Sequence, residues 1–239
     1  MHYYSYKFEQ NDEYETSNEL VVFLASDHFD LESFLDLIES HRHNLAPSAV
    51  IIIVRQPCYR ETISSIQEDS TAKDRLQGDT PILVLAYDQT GDIVEQYDLA
   101  SQNYTGTFDL QRFKRVAITS IFENRQGLIN STNLYHFRNP SQRHSTKFIR
   151  LANILSEPTE ISFLAFCCLP FLPVDCKIAY VDTPALLPLI FSIKEQLKEF
   201  DKTRSIIPIN FESYFRLPDY DFKYRNEAVV IISASTSEV

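Results

Sequence analysis

Glycine is scarce in this 239-residue chain: four occur, Gly78, Gly91, Gly106 and Gly127, and none lies beyond residue 127. Glycine normally lets a loop take positive φ and bring its amides against a phosphate, so any phosphate loop in the second half must be built differently. No GxGxxG or Walker A sequence occurs, which leaves a nucleotide role for the N-terminal half without support. There is no CxxC pair and no HExxH spacing, and no structural zinc is predicted. The four cysteines, Cys58, Cys167, Cys168 and Cys176, read as buried thiols, three of them in apolar surroundings. No apolar run is long enough to span a bilayer, and Met1–Phe8 lacks a signal-peptide core. The expectation is a soluble, cytoplasmic protein with no membrane partner.

Positive charge is also short. Lys and Arg number 22 against 33 Asp and Glu, a net charge of −11, which argues against nonspecific binding to a nucleic-acid backbone. One basic cluster stands out, Arg138, Arg143, His144, Lys147 and Arg150.

What is present is a core. Hydrophobic residues make up 44% and aromatics 13%, which excludes a disordered chain. Residues 1–18 are polar and tyrosine-rich and read as an arm or an edge element. Glu19–Ser26 is a strand-length apolar run, followed by a helix that Asp27 or Asp30 can cap, with Phe34, Leu35, Leu37, Ile38 and Leu45 as its apolar face. Ala49–Val54 is a second buried strand, residues 61–76 a polar helical stretch, and Ile82–Tyr87 a third strand. A turn at Asp88–Gly91 leads to a fourth, Ile93–Tyr97. Residues 1–105 therefore read as a small α/β domain with a partly parallel sheet. An amphipathic helix follows, with Leu110, Phe113, Val116, Ala117, Ile118, Ile121 and Phe122 as its stripe and Gly127 as its stop.

From Gly127 the chain continues through Leu134–Arg138 and the turn Ser141-Gln142-Arg143-His144-Ser145 to Lys147-Phe148-Ile149-Arg150. This stretch resembles the hood of orotate phosphoribosyltransferases, where a Phe, a Ser-Gly-x-x-Ser turn and an aromatic strand follow the first helix. The likeness continues in order: a helix at 161–171, strand 177–181, helix 185–200, strand 206–209 and strand 229–232. In style it is closest to divergent phosphoribosyltransferase-like proteins of bacterial conflict and phage-defence loci, including retron-associated effectors. The resemblance implies that residues 106–239 form a type I phosphoribosyltransferase-like parallel sheet flanked by helices, with a hood at 127–156 and a core at 158–239. It also implies an architecture abridged at its C-terminus, because no helix follows the last strand.

The candidate ligand-binding residues that follow from the resemblance are Ser141, Arg143, His144, Ser145, Lys147, Arg150, Thr183, Ser233, Ser235, Thr236 and Ser237. Asp182 is the candidate catalytic residue. The apolar run Val229–Ile232, ending in Ser233-Ala234-Ser235-Thr236-Ser237, occupies the place of the diphosphate-sugar loop. Backbone amides and hydroxyls there suit a phosphate. The sugar loop of that family carries two acids and a glycine, where Ser233, Ala234 and Glu238 stand here. The pyrophosphate loop reads Asp182-Thr183-Pro184, without glycine. Asp182 suits orientation of a ligand, binding of Mg²⁺, or the cap of the next helix.

Three functions are compatible with these residues. The first is a phosphoribosyltransferase-like protein with degenerate loops that binds a nucleotide, a sugar phosphate or a partner within a bacterial defence or regulatory complex. The second is an active transferase or nucleosidase using Asp182 with Mg²⁺, or Asp219 and Asp221. The third is an interaction module built on Tyr214, Phe215, Tyr220, Phe222 and Tyr224. A protein partner or homo-oligomer fits the missing final helix.

Overall fold

The structure, a computed structural model, describes residues 2–11, 16–42, 46–76, 80–99, 108–131, 137–138, 144–211, 220–224 and 226–233. The fold is mixed α/β, and the chain divides into two compact units, Met1–Phe113 and Lys114–Val239.

The first unit is a five-stranded sheet in the order β1 (Tyr3–Asn11), β2 (Thr16–Leu24), β3 (Ala49–Arg55), β4 (Ile82–Tyr87), β5 (Ile93–Asp98). Strands β2, β3 and β4 run parallel, joined by α1 (Leu31–Arg42) and by α2 (Tyr59–Glu68) with α3 (Ser70–Arg75). Strands β1 and β5 close the sheet antiparallel. The three parallel strands read as continuous apolar runs because both their faces are buried. One face, Leu20, Val22, Val50, Ile52, Val54 and Val84, packs with Phe34, Leu35 and Ile38 of α1 and Ile66 and Ala72 of α2 and α3. On the other face Phe23 stacks on Tyr87, both fully buried.

The leading segment is an edge strand, paired residue for residue from Tyr3↔Leu24 to Asn11↔Thr16. Its Tyr3 hydroxyl donates to Asp30 O (2.6 Å) and accepts from Asp30 N (2.9 Å), tying β1 to the start of α1. Burial pushes the Tyr3 hydroxyl pKa well up. Of the two candidate caps, Asp30 is the one used: its carboxylate accepts from the Ser33 amide and hydroxyl. The single helix read at 61–76 is two helices. Asp69 leaves the helical conformation and accepts from the amides of Thr71 and Ala72, capping α3.

In the second unit, α4 (Leu110–Asn124), whose first turn lies before the division, leads into a ribbon of short strands. Strand β6 (Leu128–Asn130) pairs with β9 (Lys147–Ile149), and β7 (Phe137–Arg138) with β8 (His144–Ser145), all antiparallel. Gly127 does stand at the end of α4, but not as its left-handed residue. Gln126 takes that conformation, at φ 50°, and Gly127 serves close approach instead. A β-carbon on Gly127 would stand 2.5 Å from Ile154 Cγ1.

The short α5 (Leu151–Ile154) is followed by α6 (Pro158–Cys168), which is buried on nearly every side. Next come β10 (Ile178–Val181), α7 (Leu187–Phe200), β11 (Ile207–Asn210) and β12 (Ala228–Ile231). Helices α6 and α7 are joined by Gln196, whose amide nitrogen donates to Ser162 O (2.6 Å) and Oγ (3.1 Å). The strands form a parallel sheet in the order β11-β10-β12, within about a residue of the sequence reading. All four cysteines are free; Cys58, Cys167 and Cys176 are buried. Among the described residues no helix is long and apolar enough to cross a membrane.

Candidate functional site

Strand β10 is central, and its neighbours lie on opposite sides of it. The chain leaves β10 for β11 on one side, then crosses to the other for β12, so the strand order reverses at β10. In an open α/β sheet such a reversal leaves a crevice at the carboxyl ends of the diverging strands. The register Val181↔Ile231 sets Asp182-Thr183 and Ile232-Ser233 side by side at that end.

Asp182 and Ser233 meet there. The Ser233 amide donates to both Asp182 oxygens (3.0 Å each), and the Ser233 hydroxyl donates to Oδ2 (2.8 Å). Asp182 is 7% exposed, and these bonds satisfy its buried charge. It is not the cap of the next turn. Thr183 holds that position, its Oγ1 accepting from the Ala185 amide (3.3 Å) ahead of the 3-10 turn Pro184–Leu186 that opens α7.

These bonds sort the candidate donors. Ser233 has spent its hydroxyl hydrogen on Asp182, whereas the Thr183 hydroxyl accepts in its cap and keeps its hydrogen to give. The Ser233 bonds take one acceptor position on Asp182 Oδ1 and two on Oδ2, so Oδ1 keeps a lone pair for a ligand or a cation. Among the described residues no three His, Cys, Asp or Glu side chains cluster as a metal site requires.

No family model, curated protein or solved structure matches this chain.

The remaining predicted residues lie on other elements or outside the described residues. Lys147 and Arg150 are exposed on and just after β9. His144 and Ser145 form β8, while Ser141, Arg143, Ser235, Thr236 and Ser237 lie outside the described residues. Asp221 sits ahead of β12 between Tyr220 and Phe222. It helps to line an open groove of about 720 Å³ formed with Lys223, Tyr224, Asn226 and Glu227. Asp219, Tyr214 and Phe215 lie outside the described residues.

Tyr220 and Phe222 are half-buried against a small core: Phe222 meets the Tyr180 ring edge-on at 4.9 Å, and both rings pack on Phe211. Tyr224, by contrast, is exposed. The Asp182–Ser233 pairing, 51 residues apart, escaped the sequence reading. Its signal was the adjacency of two parallel strands each ending in a polar residue.

Proposed function

We propose that the C-terminal unit is a phosphoribosyltransferase-like domain that binds a nucleotide or sugar phosphate at the carboxyl ends of β10 and β12 without transferring a glycosyl group. Its setting is a bacterial defence or regulatory complex, as the resemblance of the hood and core segments implies. The observation that carries the binding reading is the strand-order reversal at β10, with Thr183 presenting a hydroxyl hydrogen beside it. The observation that argues against turnover is the commitment of both Asp182 oxygens to Ser233. A carboxylate so held fixes Ser233 at the end of β12, and charge shared with Ser233 is less available to stabilise a reacting sugar carbon.

The test is thermal unfolding of the full chain, with and without Mg²⁺, against phosphoribosyl pyrophosphate, NAD, ATP and free nucleotides, with chromatography of each mixture for products. A ligand at 100 times its dissociation constant adds about 2.7 kcal/mol of stability. The expected result is a shift with a phosphate-bearing ligand and no product. Asp182→Asn keeps one oxygen to accept from Ser233 and removes a negative charge, so phosphate affinity should hold or rise. Thr183→Val should weaken it. No shift with any ligand overturns the binding reading; product formation abolished by Asp182→Asn establishes the active enzyme instead.

A further inference from the structure

The net charge of −11 conceals a segregation along the chain. Residues 1–113 carry 20 Asp and Glu against 7 Lys and Arg, whereas Asn124 to Ser156 contains no Asp or Glu and five Lys and Arg. One of the five, Arg125, is engaged by Glu157 and Glu160. Of the other four, Arg138 and Lys147 stand on β7 and β9 and Arg150 follows β9, while Arg143 lies outside the described residues. An argument from whole-chain charge therefore does not reach this element, because screening confines electrostatics to about 8–10 Å at ordinary ionic strength.

The ribbon also presents an aromatic surface. The rings of Phe137 and Phe148 stack with centroids 5.3 Å apart and planes 27° from parallel. Phe148 remains 44% exposed, with exposed Lys147 before it and exposed Arg150 two residues after it. Phe148 faces Ile129 across β6–β9, and the ribbon is closed at both ends by Arg150 N to Gly127 O and Ser131 N to Thr146 O, each 2.7 Å. A ring pair that merely held a short hairpin together would account for Phe137. It would not account for a half-open ring set between cations in a 33-residue stretch without an acid.

A backed, solvent-facing aromatic flanked by cations offers a π-face to a base and charge to its phosphates. We infer that the β6–β9 ribbon is a binding surface for single-stranded nucleic acid, with Phe148 as the stacking platform and Lys147 and Arg150 as phosphate contacts. Its residues are other than Asp182, Thr183 and Ser233, so the inference does not depend on what the crevice binds.

Fluorescence anisotropy tests it, with the full chain and a labelled single-stranded oligonucleotide of about 12 nucleotides at about 50 mM salt. The doubly substituted Lys147→Glu/Arg150→Glu chain should bind about tenfold or more weakly, and its log–log salt slope should be shallower by about 1.4, two phosphate contacts' worth. Phe148→Ala should lose about fivefold or more, and Phe148→Trp should retain binding. Thr183→Val, which should weaken phosphate binding at the crevice, should leave oligonucleotide affinity unchanged, which separates this surface from the crevice. Circular dichroism checks each variant; if Phe148→Ala disturbs the fold, the charge variant, confined to exposed side chains, carries the test. Absence of binding by the unsubstituted chain, or equal binding by the charge variant, overturns the inference. So does a Phe148→Ala chain that folds and binds as before, which would mark a general polyanion surface with no stacking.

Discussion

At the scale of single residues, Gly127 and Gln126 have exchanged the roles that helix ends usually assign. The left-handed position belongs to Gln126, where a β-carbon costs roughly 1–2 kcal/mol, while the glycine beside it is needed for space. Gly127→Ala would drive a methyl to within 2.5 and 2.7 Å of Ile154 Cγ1 and Cδ1, in a side chain that is itself buried. Overpacking of this kind costs about 1–3 kcal/mol. Combining it with Ile154→Ala, which removes the opposing atoms, should cost less than the two changes separately by more than about 0.5 kcal/mol. Gln126→Gly should stabilise by about 1 kcal/mol, since it lifts the strain at φ 50°. Denaturant unfolding of the four variants measures all of this. Strict additivity of Gly127→Ala and Ile154→Ala would show that the ribbon moves aside instead of clashing.

At the scale of elements, two helix starts and the turn after α7 depend on aspartates that are half-buried (Asp30, Asp69) or exposed (Asp201). Hydrogen bonds from Ser33, Thr71 and Thr203 hold the carboxyls of Asp30, Asp69 and Asp201 below the ordinary aspartate range. A lowered folded-state pKa contributes stability that is complete above the unfolded value, near 3.9, and is lost as pH falls through the folded value. Asp69→Ala should therefore lower the melting temperature at pH 7, and the gap from the parent chain should close as the pH drops below about 4. A gap that stays constant through that range would mean the loss at Asp69 is one of helix propensity and not of a charged cap.

The same scale shows what could be read in advance. The strands β3, β4 and β10 are legible because burial of both faces writes an uninterrupted apolar run into the sequence, and runs such as Val50–Val54 and Ile82–Ala86 are of strand length, too short for a buried helix. Strand β1 was open to two readings, since a sequence such as Tyr3–Asn11 shows its role only in its pairing with β2. The break at Asp69 hides in a polar stretch with little periodicity to interrupt. Asp182 and Ser233 could each be singled out at a strand end, but their pairing could not, because the choice between cap, ligand group and clamp is made by which strand lies alongside. The Phe137–Phe148 stack was hidden for the same reason.

At the scale of the whole molecule, the excess of acids falls within residues 1–113, so its self-repulsion opposes the compact state there. One part of it is locally offset: Arg75 binds Glu32, Asp36 and Glu39 at 2.6–3.0 Å along one face of α1, and these partners raise its pKa further. Added salt screens both effects and pushes stability in opposite directions. The three acids are about half exposed or more, and exposed pairs are worth about 0–1 kcal/mol each. The net imbalance of acids extends over the unit from β1 to β5, so repulsion should win. Raising NaCl from about 20 to about 300 mM, which shortens the screening length severalfold, should then raise the melting temperature, by roughly 2–4 °C for each kcal/mol of repulsion removed. Arg75→Ala should enlarge that rise, because it frees three more like charges on one helix. A fall in melting temperature with salt in the parent chain, abolished by Arg75→Ala, would instead place the balance in the α1–α3 ion pairs and show that the remaining acids are too dispersed to strain the fold.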